Sequence, residues 1–344
     1  MSKQITIVGG GLAGLSLGIA LRIRKIPVRL LEAGSYPRHR VCGEFICGVD
    51  QSTLKKLGIL RAFDQQVTNH DSQWFYHDRP VLKKRLPKAA IGISRHHLDH
   101  WLAEKFVSLG GDLETNTRAN PSERPEESTV WSCGRQRASD GEWIGLKCHV
   151  TGFTESMDTD LQMHFGRDCY VGISKVENAT ANVCGLFKLN RELKAKDRSA
   201  LLLAYLRASQ LGQLACQLES AEMQPDSVLG VTAFKLGHQP LSEDKLQIGD
   251  AYSMIPPFTG NGMTMAFQSA EIALQPLLDY AGGKENWTQT IQNVNQLHRK
   301  RFKRRVNWAM KLHPFLLNPF GQKTLVTMAR ARLIPFGLFF EKTR

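Results

Sequence analysis

ITIVGGGLAGLSLGIALRI, residues 5–23, stands near the start of the chain and decides its fold. Ile5 to Val8 form a short β-branched run, the pattern of a buried strand. Gly9, Gly11 and Gly14 follow as G-x-G-x-x-G, and Leu12 to Arg22 carry apolar side chains at helical spacing. Strand, tight turn and helix N-terminus are the context that gives this motif meaning. The first glycine permits the turn, the second lets backbone approach a pyrophosphate, and the third lets the helix pack close to the strand. Backbone N–H groups and the helix dipole favour negative charge there. A second strand is expected over Pro27–Leu31, ending at Glu32. Its carboxylate lies 18 residues after Gly14, where a ribose-binding acid belongs. An acid would repel a 2′-phosphate, so the expected nucleotide lacks one. A glycine turn in an unrelated α/β protein is the competing reading, and it gives Glu32 no role.

A second glycine-rich segment, IGDAYSMIPPFTGNGMTMA, spans Ile248–Ala266. Between the two lie YPRHRVCGE at 36–44 and SRHHLDHWL at 94–102. On these four places, over roughly residues 1–290, the chain resembles the FAD-dependent oxidoreductases that include the aromatic-hydroxylase (group A) monooxygenases and the geranylgeranyl reductases. The resemblance implies an α/β (α+β) fold with three parts. A Rossmann-type FAD-binding domain takes residues 1–68, 88–142 and 236–290. An inserted antiparallel β-sheet substrate domain takes 69–87 and 143–235, and a basic, apolar helical region follows over 291–344.

The resemblance also implies FAD and its contacts. Gly9, Gly11, Leu12, Ala13, Gly14, Glu32 and Ala33 would serve the diphosphate and adenosine end. Arg38, Arg40 and Arg95 would reach the phosphate and ribityl region, although ordinary solvated arginines are the alternative. Gly249 and Asp250 would hold ribityl hydroxyls, and Pro256, Gly260, Asn261, Gly262 and Met263 would line the isoalloxazine ring. A carboxylate accepts from two sugar hydroxyls, and arginine suits diphosphate oxygens. Backbone N–H groups and the positive end of the helix starting near Asn261 would stabilise negative charge on a reduced ring.

The chain also departs from these families. Cys133-Gly134 stands where many hydroxylases carry Asp-Gly, and Asp140-Gly141 comes too late. There is no second G-x-G-x-x-G, so no separate nicotinamide domain is visible, and NAD(P)H as electron donor rests on the resemblance. The strand CYVGISKVEN, 169–178, lacks the aromatic Phe-Pro motif of archaeal reductases, and no Trp-x-Trp argues for halogenation.

At 344 residues the chain can bury a sizeable core, and 42% apolar residues fit a globular protein. No apolar run approaches the ~18 residues of a membrane span, and the N-terminus lacks a signal-peptide pattern. Seven cysteines, an odd count, suggest a reducing compartment, so a cytoplasmic location is expected. No His/Cys cluster has zinc-ligand spacing. Helices are expected over 50–66, 98–109 and 191–220, and a loop over Asn116–Thr129. Strands are expected over 69–93, with Gln73–His77 facing the substrate region. WIGLKCHV, DLQMHF, YVGISKV and ANVCGLF read as a half-buried antiparallel sheet.

Residues 298–344 hold 12 Lys and Arg against one acid, Glu341, so they carry most of the net charge of +13. RKRFKRR at 299–305 precedes the apolar WAMKLHPFLLNPF and, later, ARLIPFGLFF. Basic clusters alternating with large apolar segments suit an anionic membrane surface, and hence peripheral association. A helical cap with solvated arginines is the alternative. Nucleic acid is not expected, because no nucleic-acid module accompanies the run.

Three functions fit. The first is a monooxygenase that hydroxylates a lipophilic or aromatic small molecule with NAD(P)H and O2. The second is a geranylgeranyl-reductase-like enzyme that reduces isoprenoid C=C bonds. The third is a non-enzymatic prenyl- or lipid-binding escort of the same fold, against which Glu32, Asp250 and the Gly260–Gly262 turn argue. No catalytic group is assigned. Cys42 and Glu44 are weak candidates, with inert thiols and a carboxylate paired to Arg38 or Arg40 as alternatives. His164 reads as a core or surface residue.

Overall fold

The computed structural model describes residues 2–119, 127–136, 138, 141–331, 333 and 337. Residues 120–126 of the expected loop, Asp140 and most of ARLIPFGLFF lie outside the described residues.

Along the first half run β1 (Ile5–Val8), α1 (Leu12–Ile23), β2 (Val28–Leu31), β3 (Phe45–Ile46), α2 (Gln51–Leu57), β4 (Val67–Tyr76), β5 (Arg79–Gly92), α3 (Arg95–Ser108), β6 (Asp112–Glu114) and β7 (Thr129–Trp131). Then come β8 (Trp143–Thr151), β9 (Leu161–Gly166), β10 (Cys169–Val176), β11 (Thr180–Lys188), α4 (Arg198–Ala208) and α5 (Gly212–Glu219). Short strands follow as β12 (Glu222–Met223), β13 (Leu229–Val231), β14 (Gly237–His238), β15 (Leu246–Gln247) and β16 (Ser253–Met254). The chain closes with α6 (Gly262–Ala281), α7 (Trp287–Leu317) and α8 (Pro319–Arg330).

The first sheet is parallel, in the order β15-β7-β1-β2-β6. Ile5, Ile7 and Leu30 are fully buried in it against Leu15, Ile19, Phe106 and Phe267 of α1, α3 and α6. The second sheet runs β12-β8-β11-β10-β9-β4-β5-β3, with β13 also on β8. It is antiparallel except for the parallel pair β4–β9. The Leu146, Cys148, Val171, Ile173 and Val183 side of this sheet packs on α4 and α5. The opposite side faces the first domain.

Three expected boundaries fall inside elements. β4 and β5 run through positions 68 and 87, because one long hairpin carries the chain from the first domain into the second sheet. α7 runs through position 290, because its start is fixed at Asn286 by a capping box with Gln289. The expected helix at 98–109 begins three residues earlier, at Arg95, where the Ser94 side chain accepts from His97 N–H. The expected helix at 191–220 is two helices, broken at Gln210, which adopts a left-handed φ of 63°.

Candidate functional site

The two glycine segments meet. A Cβ on Gly249 would lie 3.0 Å from the Ala13 Cβ, and Gly249 N–H donates to Ser269 Oγ on α6 at 2.9 Å. Gly9, at φ 107°, and Gly14 admit no side chain: their Cβ atoms would meet Ser132 O at 2.4 Å and Gly9 O at 2.1 Å. Gly11 and Gly262 are different. A Cβ on either would meet nothing within 4 Å, so the starts of α1 and α6 border open space. Neither helix start carries a side-chain cap. Two sets of helix-start N–H groups, each with a positive dipole end, thus border open space. Leu12, Ala13 and Met263 are buried behind them.

Glu32 ends β2 with its carboxylate buried. Gly10 N–H donates to Oε2 at 2.7 Å and Gly34 N–H to Oε1 at 3.0 Å, while Ala33 is exposed. Arg38 bonds Oε1, and Arg40 lies 3.4 Å from Oε2. Burial opposes ionisation of Glu32, but Arg40, Arg38 and the two N–H groups outweigh it and hold the pKa below the usual carboxylate range. Tyr36 closes this end by donating to Gly10 O at 2.5 Å.

Arg40 and Arg95 converge on Asp99, a fully buried residue that motif reading passed over. Arg95 bonds it twice, at 2.7 and 2.8 Å, and Arg40 once, at 3.0 Å. The i,i+4 spacing of Arg95 and Asp99 on α3 was the signal available in the sequence. Asp250 sits half-buried on the turn after β15. No described residue hydrogen-bonds it, and burial raises its pKa despite the Arg95 and Arg135 charges. A carboxylate set into the fold without a donor suits one from outside the chain.

Pro256 leads into the Gly260 turn and is buried, as is Asn261. Gly260 takes φ 62°, and a Cβ there would meet the Phe45 ring at 2.3 Å. Its carbonyl accepts from Cys47 N–H at 3.3 Å, so the 42–47 loop is bound to the turn that starts α6.

Glu44 does not pair with Arg38 or Arg40. It is fully buried and accepts from Lys147 Nζ at 3.1 Å, His149 Nε2 at 2.5 Å and Arg95 N–H at 3.0 Å. Burial works against the charge, but the His149 hydrogen bond and the Lys147 charge lower the pKa. Cys42 lies beside it, its thiol pushed up by burial, which makes it a poor nucleophile. Asn182 and Ser174 bond the Cys42 and Gly43 carbonyls at 3.0 and 2.9 Å. The segment is therefore a clasp between the Gly260 turn and the second sheet. Lys147 and His149 alternate with apolar residues in WIGLKCHV, and that alternation was the missed signal. His164 is buried on the opposite side of the sheet, stacked on Phe75.

The sheet side that carries Lys147 and His149 is graded. His149, Asn182 and Ser174 form a polar row by register. Lys147, Cys184, Gly172, Met163 and Trp74 form the next, where a Cβ on Gly172 would meet nothing nearer than 3.9 Å. Leu186, Tyr170, Phe165 and Tyr76 form an apolar, aromatic row packed toward Leu316 and Leu317 of α7. Among the described residues, no group of three His, Cys, Asp or Glu could hold a metal ion.

No family model matches the chain. Conditioned medium factor receptor 1 of Dictyostelium discoideum is 25% identical over 143 residues, 38% of this chain, which spans only 28% of that relative's length. Solved structures match almost throughout. The p-nitrophenol 4-monooxygenase PnpA of Pseudomonas putida superposes with a TM-score of 0.77 at 12% identity, covering 98% of this chain and 96% of that one. A single-residue variant of Klebsiella pneumoniae HpxO, complexed with FAD, gives 0.74 at 13% identity over 95% and 94%. Pseudomonas aeruginosa PqsL, complexed with 2-aminobenzoylacetate, gives 0.71 at 14% identity over 98% and 100%. The chain shares the fold of these three proteins.

Proposed function

We propose that this protein is an FAD-dependent monooxygenase that hydroxylates a lipophilic or aromatic small molecule, with NAD(P)H as electron donor and O2 as co-substrate. The observation that carries the reading is the pairing of two uncapped helix starts, each bordering open space and joined through the Gly249–Ala13 contact, with the Glu32 and Asp250 carboxylates beside them. The residues fit FAD. The N–H groups at Gly11–Ala13 suit its diphosphate, Glu32 and Asp250 suit hydroxyl donors, and the start of α6 suits the electron-rich edge of the ring. When bound, FAD supplies the redox chemistry.

The chain supplies the rest. Arg38 and Arg40 would leave Glu32 partly free for ribose hydroxyls and turn toward phosphate oxygens. The Glu44 clasp holds the sheet at a fixed height above the Gly260 turn. Trp74 and Met163, half-buried and backed by the packed Phe165, Tyr170 and Leu186, offer an apolar surface that would orient a planar substrate and exclude water.

The purified protein should be yellow, or take up added FAD, and should consume oxygen with NAD(P)H faster when an aromatic substrate is present. A protein that stays colourless in excess FAD sinks this reading. Anaerobic reduction of a prenyl alkene, without oxygen uptake, would replace hydroxylation by C=C reduction.

A further inference from the structure

The basic run becomes one face of a helix. Within Arg299–Arg305, Phe302 is buried, and Arg305 turns inward to donate to Gln268 Oε1 at 2.8 Å. Arg299, Lys300, Arg301, Lys303 and Arg304 stay exposed, and Lys311 joins them two turns further on. None of the six has a carboxylate within ion-pairing distance among the described residues. Like charges at this spacing repel, so an external counter-charge would stabilise the helix. Trp308, 39% exposed, shares a shallow groove with Lys300, Lys303, Arg304 and Lys311. Leu297 at one end and Phe320, 77% exposed at the start of α8, add further apolar surface.

The opposite face of α7 is fixed. Phe302, Val306 and Ala309 pack with Tyr252 and Ile255 of the second glycine segment. His298 Nε2 lies 2.9 Å from Ser269 Oγ, the atom that accepts from Gly249 N–H. The basic face is thus held rigidly against the turn that carries Asp250.

We propose that the outer face of α7, Arg299 to Lys311, docks this protein on the surface of an anionic phospholipid bilayer. The headgroup phosphates supply the missing negative charge. Trp308 has the ring that settles at the boundary between headgroup and hydrocarbon. Nucleic acid offers phosphate but no apolar layer for the exposed Leu297, Trp308 and Phe320. Docking does not depend on the flavin reading, and among the described residues no helix is long and apolar enough to cross a membrane.

The test is sedimentation of the full chain with vesicles of phosphatidylcholine alone and of equal parts phosphatidylcholine and phosphatidylglycerol. Binding is expected to the anionic vesicles only. Each basic residue near the surface adds about fivefold, so Lys300→Gln/Lys303→Gln/Arg304→Gln should weaken it about a hundredfold. Raising salt from about 0.1 M to 1 M shortens the screening length from about 10 Å to 3 Å and should release the protein. Trp308→Ala should weaken binding several-fold at any salt. Melting temperatures of the variants should not fall below the parent's by more than a few degrees, since every altered side chain is exposed and the triple variant relieves like-charge repulsion. Equal binding to both vesicle types, or parental binding by the triple variant, overturns the proposal. So does displacement from the vesicles by duplex DNA at equal phosphate concentration, which would mark a nucleic-acid surface.

Discussion

Glu44→Gln is the most informative single substitution in this fold. It keeps the shape of the side chain and removes one charge from a cluster in which Lys147 is 0% exposed and Glu44 is 0% exposed. Lys147 Nζ then faces a neutral amide in place of the carboxylate 3.1 Å away. Breaking a buried ion pair from one side costs about 3–5 kcal/mol, because the remaining charge is neither paired nor solvated. The loss should appear in urea unfolding of the protein as a lower midpoint with an unchanged slope. Lys147→Met in the same chain removes the orphaned charge, and Glu44→Gln/Lys147→Met should recover about 2 kcal/mol or more of the loss.

The sign with pH is also fixed. The folded pKa of Glu44 is lowered, so its contribution is fully present above the unfolded value of about 4.3 and is lost as pH falls through the folded value. The parent–variant difference should therefore be flat from neutral pH down to mildly acidic pH and shrink in strong acid. A loss under about 1 kcal/mol, or a double variant no more stable than Glu44→Gln, would show that the clasp is solvated and refute the reasoning.

Other outcomes follow from the same geometry. Asp250→Ala should weaken FAD retention at least tenfold by flavin fluorescence titration while urea stability stays within about 1 kcal/mol of the parent, since no chain donor loses a partner. Glu32→Gln should weaken FAD binding and free Arg38, while Arg40 stays on Asp99, so that binding becomes more sensitive to added phosphate than in the parent, as read by competition. Gly260→Ala places a methyl 2.3 Å from the Phe45 ring at φ 62° and should cost about 2 kcal/mol or more in urea unfolding, with Phe45→Ala recovering part of it. His298→Phe deletes the bond to Ser269 Oγ and should loosen FAD without changing vesicle binding, because the two faces of α7 act separately.

The sequence was legible where local rules decide structure. The strand–turn–helix at GGGLAG was legible because the constraints on Gly9 and Gly14 come from atoms of the same unit and its neighbour Ser132. The alternating runs between Trp143 and Phe187 became β8 to β11 because period two is a property of each strand alone. What was not legible depends on distant partners. Glu44 looked like a partner for Arg38 or Arg40, six and four residues away, yet its side-chain partners, Lys147 and His149, come from β8, more than a hundred residues on. Arg40 and Arg95 looked like two separate phosphate ligands, yet Asp99 joins them. The basic tail shows both cases at once. Composition announced the charge, but only the helix phase separates Arg305, which bonds Gln268, from Arg304, which faces out. A run of six basic residues in seven therefore divides into five that can meet a surface and one that holds the helix to the domain. The membrane argument rests on that division, since a cation turned inward adds nothing to surface attraction, and the cations turned outward have no carboxylate partner among the described residues.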